Sequence, residues 1–129
     1  SVQSVTVLNL SKNSIAGGLP ACIASVQALN HLNLLANHLK YRIYPRLVFS
    51  VKLVVLDLSN NTLSCPIPTK IVETTEKLGL VLLDLSHNQF SGENPIKITD
   101  FKSFQALFIS HNPLSGEIPA RIGNLTYLQ

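Results

Sequence analysis

The chain has 129 residues, room for one domain, and leucine alone fills 22 positions while Trp and Met are absent. Charged residues are 13% of the total, about half the usual share, which excludes a highly charged disordered chain. The formal charge of +3 comes from scattered Lys and Arg, grouped only at Lys40, Arg42 and Arg46, with no basic stripe interleaved with aromatics. Nucleic-acid binding is therefore set aside. Two cysteines, Cys22 and Cys65, do not make a disulfide scaffold, and their different places in the repeat described next argue against a bridge between them. No apolar run reaches the length of a membrane span, about 20 residues, and no signal-peptide pattern opens the chain. A mature segment or a slice of a longer protein is expected.

Taken in chain order, the sequence repeats itself. Asn13, Asn37, Asn61, Asn88 and Asn112 lie 24, 24, 27 and 24 residues apart. Each follows apolar residues eight, five and three places earlier: Val5/Leu8/Leu10, Leu29/Leu32/Leu34, Leu53/Leu56/Leu58, Leu80/Leu83/Leu85 and Phe104/Leu107/Ile109. Two places after each asparagine comes Ile15, Leu39, Leu63, Phe90 or Leu114. A sixth unit begins at Leu125 and Leu128. The pattern is L-x-x-L-x-L-x-x-N-x-L, the leucine-rich repeat. The alternation at L-x-L predicts a strand with one buried face. Stacked strands then make a parallel sheet on the concave side of a curved α/β solenoid that occupies residues 1–129 as one segment, without end caps. At the turn after each strand, the asparagine amide offers both a donor and an acceptor to buried backbone groups. The five asparagines are read as a structural ladder.

Beyond each asparagine a second pattern recurs, with Gly at +4, an aliphatic at +6 and Pro at +7. It appears as Gly17-Gly18-Leu19-Pro20, Cys65-Pro66-Ile67-Pro68, Gly92-Glu93-Asn94-Pro95 and Gly116-Glu117-Ile118-Pro119. This L-x-G-x-I-P extension resembles the plant-specific class of leucine-rich repeat, which implies a second, short sheet. The second unit departs with Tyr41-Arg42-Ile43-Tyr44-Pro45, the third has Cys65 in the glycine place, and the fourth has Asn94 at the aliphatic place. The departures bear on the local pairing of the second sheet, not on the arc. The 27-residue unit carries its extra residues within Val72–Lys77, on the convex return path, where insertions are tolerated and a short helix is expected.

The outward strand residues fall into columns. Six places before the asparagines are Val7, His31, Val55, Leu82 and Ala106; four before are Asn9, Asn33, Asp57, Asp84 and Phe108. Two before are Ser11, Leu35, Ser59, Ser86 and Ser110; one before are Lys12, Ala36, Asn60, His87 and His111. Such a mixed polar and apolar concave face suits a peptide or protein ligand. His31, Asp57, Leu82, Asp84 and Phe108 are the candidate contacts. Asp57 and Asp84 share a column at the carboxylate spacing of a retaining glycosidase, but nothing in the sequence builds a cleft around them. His87 and His111 share another column without an evident third metal ligand. Neither enzymatic activity nor a cofactor is expected. Asn9, Asn60 and Asn124 each open an N-x-S/T sequon, a candidate glycan site in a secreted protein.

The stretches Glu73–Asn88 and Ile118–Gln129, together with the 27-residue spacing, resemble the ectodomain of the CLAVATA-type receptor-like proteins, which lack a kinase. That resemblance implies an internal piece of a plant plasma-membrane ectodomain in peptide-hormone signalling of the meristem-maintenance type. It also implies a peptide hormone or a partner membrane receptor or pseudokinase as ligand, bound at the extracellular face. Leu34-Leu35-Ala36-Asn37 departs from the expected L-S-x-N. A slice of a kinase-bearing receptor, a secreted hydrolase inhibitor, or a truncated copy without activity of its own are the alternatives. Full-length gene context separates them.

Overall fold

In each unit the first leucine of L-x-L points inward between two outward residues, and these three form a strand. These are β1 (Val7–Asn9), β3 (His31–Asn33), β5 (Val55–Asp57), β7 (Leu82–Asp84) and β9 (Ala106–Phe108), followed by β10 (Tyr127–Leu128). The computed structural model describes residues 6–19, 23, 28–44, 52–67, 80–92, 105–114 and 127–128. The six strands pair in parallel in the order β1-β3-β5-β7-β9-β10. Val7 faces His31, then Val55, Leu82 and Ala106. This register reproduces the spacing of the asparagines, so the three extra residues of the longer unit are absorbed outside the strands. The expected helix within Val72–Lys77 lies outside the described residues. So does Cys22.

The core is a stack of like positions. Leu32, Leu56, Leu83 and Leu107 are the inward strand residues, and all four are fully buried. Leu34, Leu58, Leu85 and Ile109 lie beneath the strand ends, with Leu39, Leu63 and Phe90 behind them. Complete burial of one such side chain is worth about 1.5–3 kcal/mol. The first unit is more open, with Leu8, Leu10 and Ile15 only partly buried against the cluster.

The ladder forms as the spacing predicts. Asn61 Nδ2 donates to the carbonyls of Leu58 (3.1 Å) and Ser59 (3.1 Å) in its own unit and of Leu34 (3.0 Å) in the unit before. Its Oδ1 accepts the Leu39 N–H at 3.0 Å, also from the unit before. Asn37, Asn88 and Asn112 repeat this pattern, receiving the N–H groups of Ile15, Leu63 and Phe90. Asn13, the first rung, bonds the carbonyls of Leu10 and Ser11. Among the described residues, no buried side-chain nitrogen or oxygen lacks a partner.

The residue before each rung holds a conformation that the sequence does not advertise. Lys12, Ala36, Asn60, His87 and His111 all sit in the left-handed region, with φ between 54° and 58°. The turn reverses the chain there and aims the N–H of Lys12, Ala36, Asn60 and His87 at the carbonyl of Leu35, Ser59, Ser86 and Ser110 in the next unit.

The second sheet contains β2 (Ala16–Gly17), β4 (His38–Tyr41), β6 (Thr62–Pro66) and β8 (Gln89–Ser91), again all parallel. It runs unbroken through the units that depart from the extension pattern. Ala16 pairs with His38, Lys40 with Thr62 and Ser64 with Gln89, a stagger of two residues relative to the ladder at every step. The reason is that the departures preserve what the backbone needs. Tyr41 and Cys65 take the left-handed conformation of Gly17 and Gly92, with φ of 71° and 68° against 83° for both glycines. Leu19, Ile43 and Ile67 keep the aliphatic position buried. The site of Asn94 lies outside the described residues.

Candidate functional site

The outward face of the first sheet brings together the candidate residues. His31, Val55, Leu82 and Ala106 are consecutive partners across four strands, and Asn33, Asp57, Asp84 and Phe108 form the parallel column beside them. Adjacent strands stand about 4.8 Å apart, so a ligand crossing the strands meets one side chain of each column per repeat. Val7 and His31 are exposed, whereas Val55, Leu82 and Ala106 are half-buried among their neighbours. The first column is thus an apolar strip interrupted by one imidazole, and the second changes from amide to carboxylate to phenyl along the sheet.

The acidic column has a structural duty as well. Asp57 Oδ1 accepts the Ser59 N–H at 3.0 Å and the Ser59 hydroxyl at 2.6 Å. Asp84 does the same for Ser86 at 3.0 and 2.6 Å. Asn9 likewise receives both groups of Ser11, and Asn33 receives the Leu35 N–H. A side-chain oxygen bonded two residues ahead is a turn-closing device, and it ties each strand end to the turn that leads to the ladder. One oxygen of each carboxylate is held in this way, which fixes where the charge sits on the face. Phe108 has no oxygen to contribute, so the series stops there.

One expectation needs adjustment. Ser59 is not an outward contact residue: it is buried, because its hydroxyl folds back onto Asp57. Asp57 and Asp84 each give one carboxylate oxygen to their own serine. His87 and His111 stack, with ring centroids 4.0 Å apart and planes within 10°. Among the described residues no third histidine, cysteine or carboxylate forms a group with them. Asn9 and Asn60 are exposed, while Asn124 lies outside the described residues. Cys65 is an exposed free thiol.

With the two sheets, the ladder and the outward columns established, comparison with known proteins decides the family. The family model described as Leucine Rich Repeat matches residues 4–26, 52–72, 79–101 and 103–125. The chain belongs to the leucine-rich repeat family. Among solved structures, this leucine-rich repeat chain is similar to the ectodomain of the Arabidopsis receptor kinase HAESA in complex with an N-terminally extended IDA peptide hormone ligand. The two are 32% identical with a TM-score of 0.84, over 96% of this chain and 21% of that one. It is also similar to the plant peptide hormone receptor RGFR1 in complex with RGF2, at 32% identity and TM-score 0.79 over 90% of this chain and 18% of the other. A third similar structure is Pollen Receptor Kinase 3, at 30% identity and TM-score 0.81, with coverage of 98% and 61%. No curated protein sequence matches. The chain spans about a fifth of the length of the HAESA ectodomain. Among the described residues no helix is long and apolar enough to cross a membrane.

Proposed function

We propose that this chain is a ligand-binding segment of a plant receptor ectodomain, and that an extended peptide crosses the outward face of its first sheet. The observation that carries the reading is the pair of aligned columns, His31/Val55/Leu82/Ala106 beside Asn33/Asp57/Asp84/Phe108, on a fold similar to ectodomains solved with peptide hormones. The apolar strip offers area, and the fixed carboxylates offer orientation to a cationic side chain or amino group. His31, Asp57, Leu82, Asp84 and Phe108 are the proposed contacts. A partner receptor is the second proposed ligand, since HAESA has also been crystallised with the co-receptor SERK1. The segment then acts at the extracellular face of the plasma membrane, with Asn9 and Asn60 as exposed candidate glycan sites.

The finer assignment, to a CLAVATA-type receptor-like protein of the meristem-maintenance kind, rests on the resemblance in Glu73–Asn88 and Ile118–Gln129. A kinase-bearing receptor is the second reading, favoured by the similarity to HAESA and Pollen Receptor Kinase 3. Calorimetric titration of the chain with a panel of CLAVATA-class peptides, IDA and RGF2 tests the proposal and separates these readings. The expected result is binding of one peptide class, weakened in Leu82→Arg and Asp84→Ala. Equal binding by both variants removes the outward face from consideration.

A further inference from the structure

The second sheet carries a feature that neither the repeat nor the outward columns use. The left-handed position at the end of β2 and just after β8 is Gly17 and Gly92, whereas β4 has Tyr41 there at φ 71° and β6 has Cys65 at 68°. An aromatic side chain strains the backbone at such a position. The ring does not recover that strain by burial, since Tyr41 is 59% exposed. It leans across Gly18, whose absent side chain leaves room for the ring edge. Cys65 holds the same conformation with a small side chain, so what sets β4 apart is the large exposed ring that Tyr41 adds there.

Charged side chains lie around the ring. Lys40 Nζ lies 5.1 Å from the Tyr41 ring centre, and Arg42 Cζ lies 5.7 Å from that of Tyr44. Lys40 and Arg42 are both exposed, and among the described residues neither is paired with a carboxylate. The side chains between them and the core are settled: Ile43 is buried and Tyr44 half-buried, so the backbone under the patch is anchored. We propose that Lys40, Tyr41, Arg42 and Tyr44 form a docking surface for an acidic segment of a partner protein, separate from the outward face of the first sheet. A guanidinium laid over a ring keeps its N–H edge free for two parallel bonds to one carboxylate. The ammonium over Tyr41 takes a second carboxylate, and the two phenol groups supply donors beside them. Lys40, Arg42 and, in sequence, Arg46 make a short basic group and not the stripe interleaved with aromatics that a nucleic acid needs. A peptide with spaced carboxylates fits such a group.

The test is binding of a fluorescein-labelled oligoglutamate peptide to the whole chain by anisotropy, with oligoglutamine as the neutral control. The expected result is saturable oligoglutamate binding that weakens with added salt and falls about tenfold or more in the double variant Lys40→Glu, Arg42→Glu. Tyr41→Gly is expected to keep or raise the unfolding midpoint while lowering affinity several-fold. Unchanged affinity in the charge-reversal variant overturns the proposal. Retained affinity in Tyr41→Gly with a lowered midpoint also overturns it, because the ring is then a structural element. A charge-matched oligogalacturonate or single-stranded DNA that competes for the same residues and binds more tightly than the peptide overturns the assignment to a protein partner.

Discussion

Asn61 makes four hydrogen bonds with one side chain, three as donor and one as acceptor, and two of the four reach into the preceding unit. Asn61→Ala removes all of them from a buried turn, and an unmatched buried group costs about 1–3 kcal/mol. Asn60 is exposed, and an outward side chain by itself predicts a negligible cost for Asn60→Ala. The left-handed φ of 55° changes that expectation. Asparagine adopts this region at less cost than alanine, so Asn60→Ala is expected to cost about 1 kcal/mol through the backbone alone. The same physics reverses at Ala36, already alanine at φ 57°. Ala36→Gly should stabilise the chain by about 0.5–1 kcal/mol. Urea midpoints for the three variants check the set, with Asn61→Ala lowest and Ala36→Gly above the parent. A midpoint for Ala36→Gly below the parent would show that the strain is absent.

At the scale of elements, the strand register of the first sheet was legible to the residue. A central leucine that must face inward in every unit allows no slip, because a shift by one residue turns the buried set outward. The core columns followed for the same reason. Much less could be read of the turns. The left-handed column is occupied by Lys12, Ala36, Asn60, His87 and His111, a set with no glycine to betray it. The closing role of Asp57 and Asp84 was hidden as well, since carboxylates on an outward face read first as ligand contacts. At the second sheet, Tyr41 and Cys65 suggested weakened pairing, yet the backbone accepts both because hydrogen bonding on either side holds the strand. Cys65→Gly relieves one strained position, φ 68°, and should raise stability by about 1 kcal/mol without altering strand content. Circular dichroism with a denaturant titration is the check.

At the scale of the whole molecule, the outward and return faces make opposite predictions. In a ligand titration, His31, Asp57, Leu82, Asp84 and Phe108 are the positions to change first, and loss of a true anchor weakens binding by about 1–2 kcal/mol or more. Lys70, Glu73 and Glu76 lie outside the described residues and off the outward columns, and their substitution should leave affinity within about 0.5 kcal/mol. Weakening by the second set alone would place the ligand elsewhere. The edge at β1 makes a further prediction. Among the described residues this strand pairs on one side only, and Val7 is 61% exposed on it. Unpaired strand edges recruit other chains, so association that rises with concentration is expected in light scattering. Val7→Lys should shift the population toward monomer.

The ladder also gives the molecule a direction. Every asparagine from Asn37 onward reaches back to the unit before it. In a nearest-neighbour description of repeat stability, the interface terms are usually treated as joint property. Here the amide of each junction is encoded wholly in the later unit. Trimming one unit from the start leaves the next asparagine with an idle Oδ1, exposed and easily hydrated. Trimming one from the end strands a backbone N–H and a carbonyl of the unit before it, groups that cannot rotate away. Two deletions of equal size should therefore differ in cost, and fraying should travel inward from the two ends at different rates.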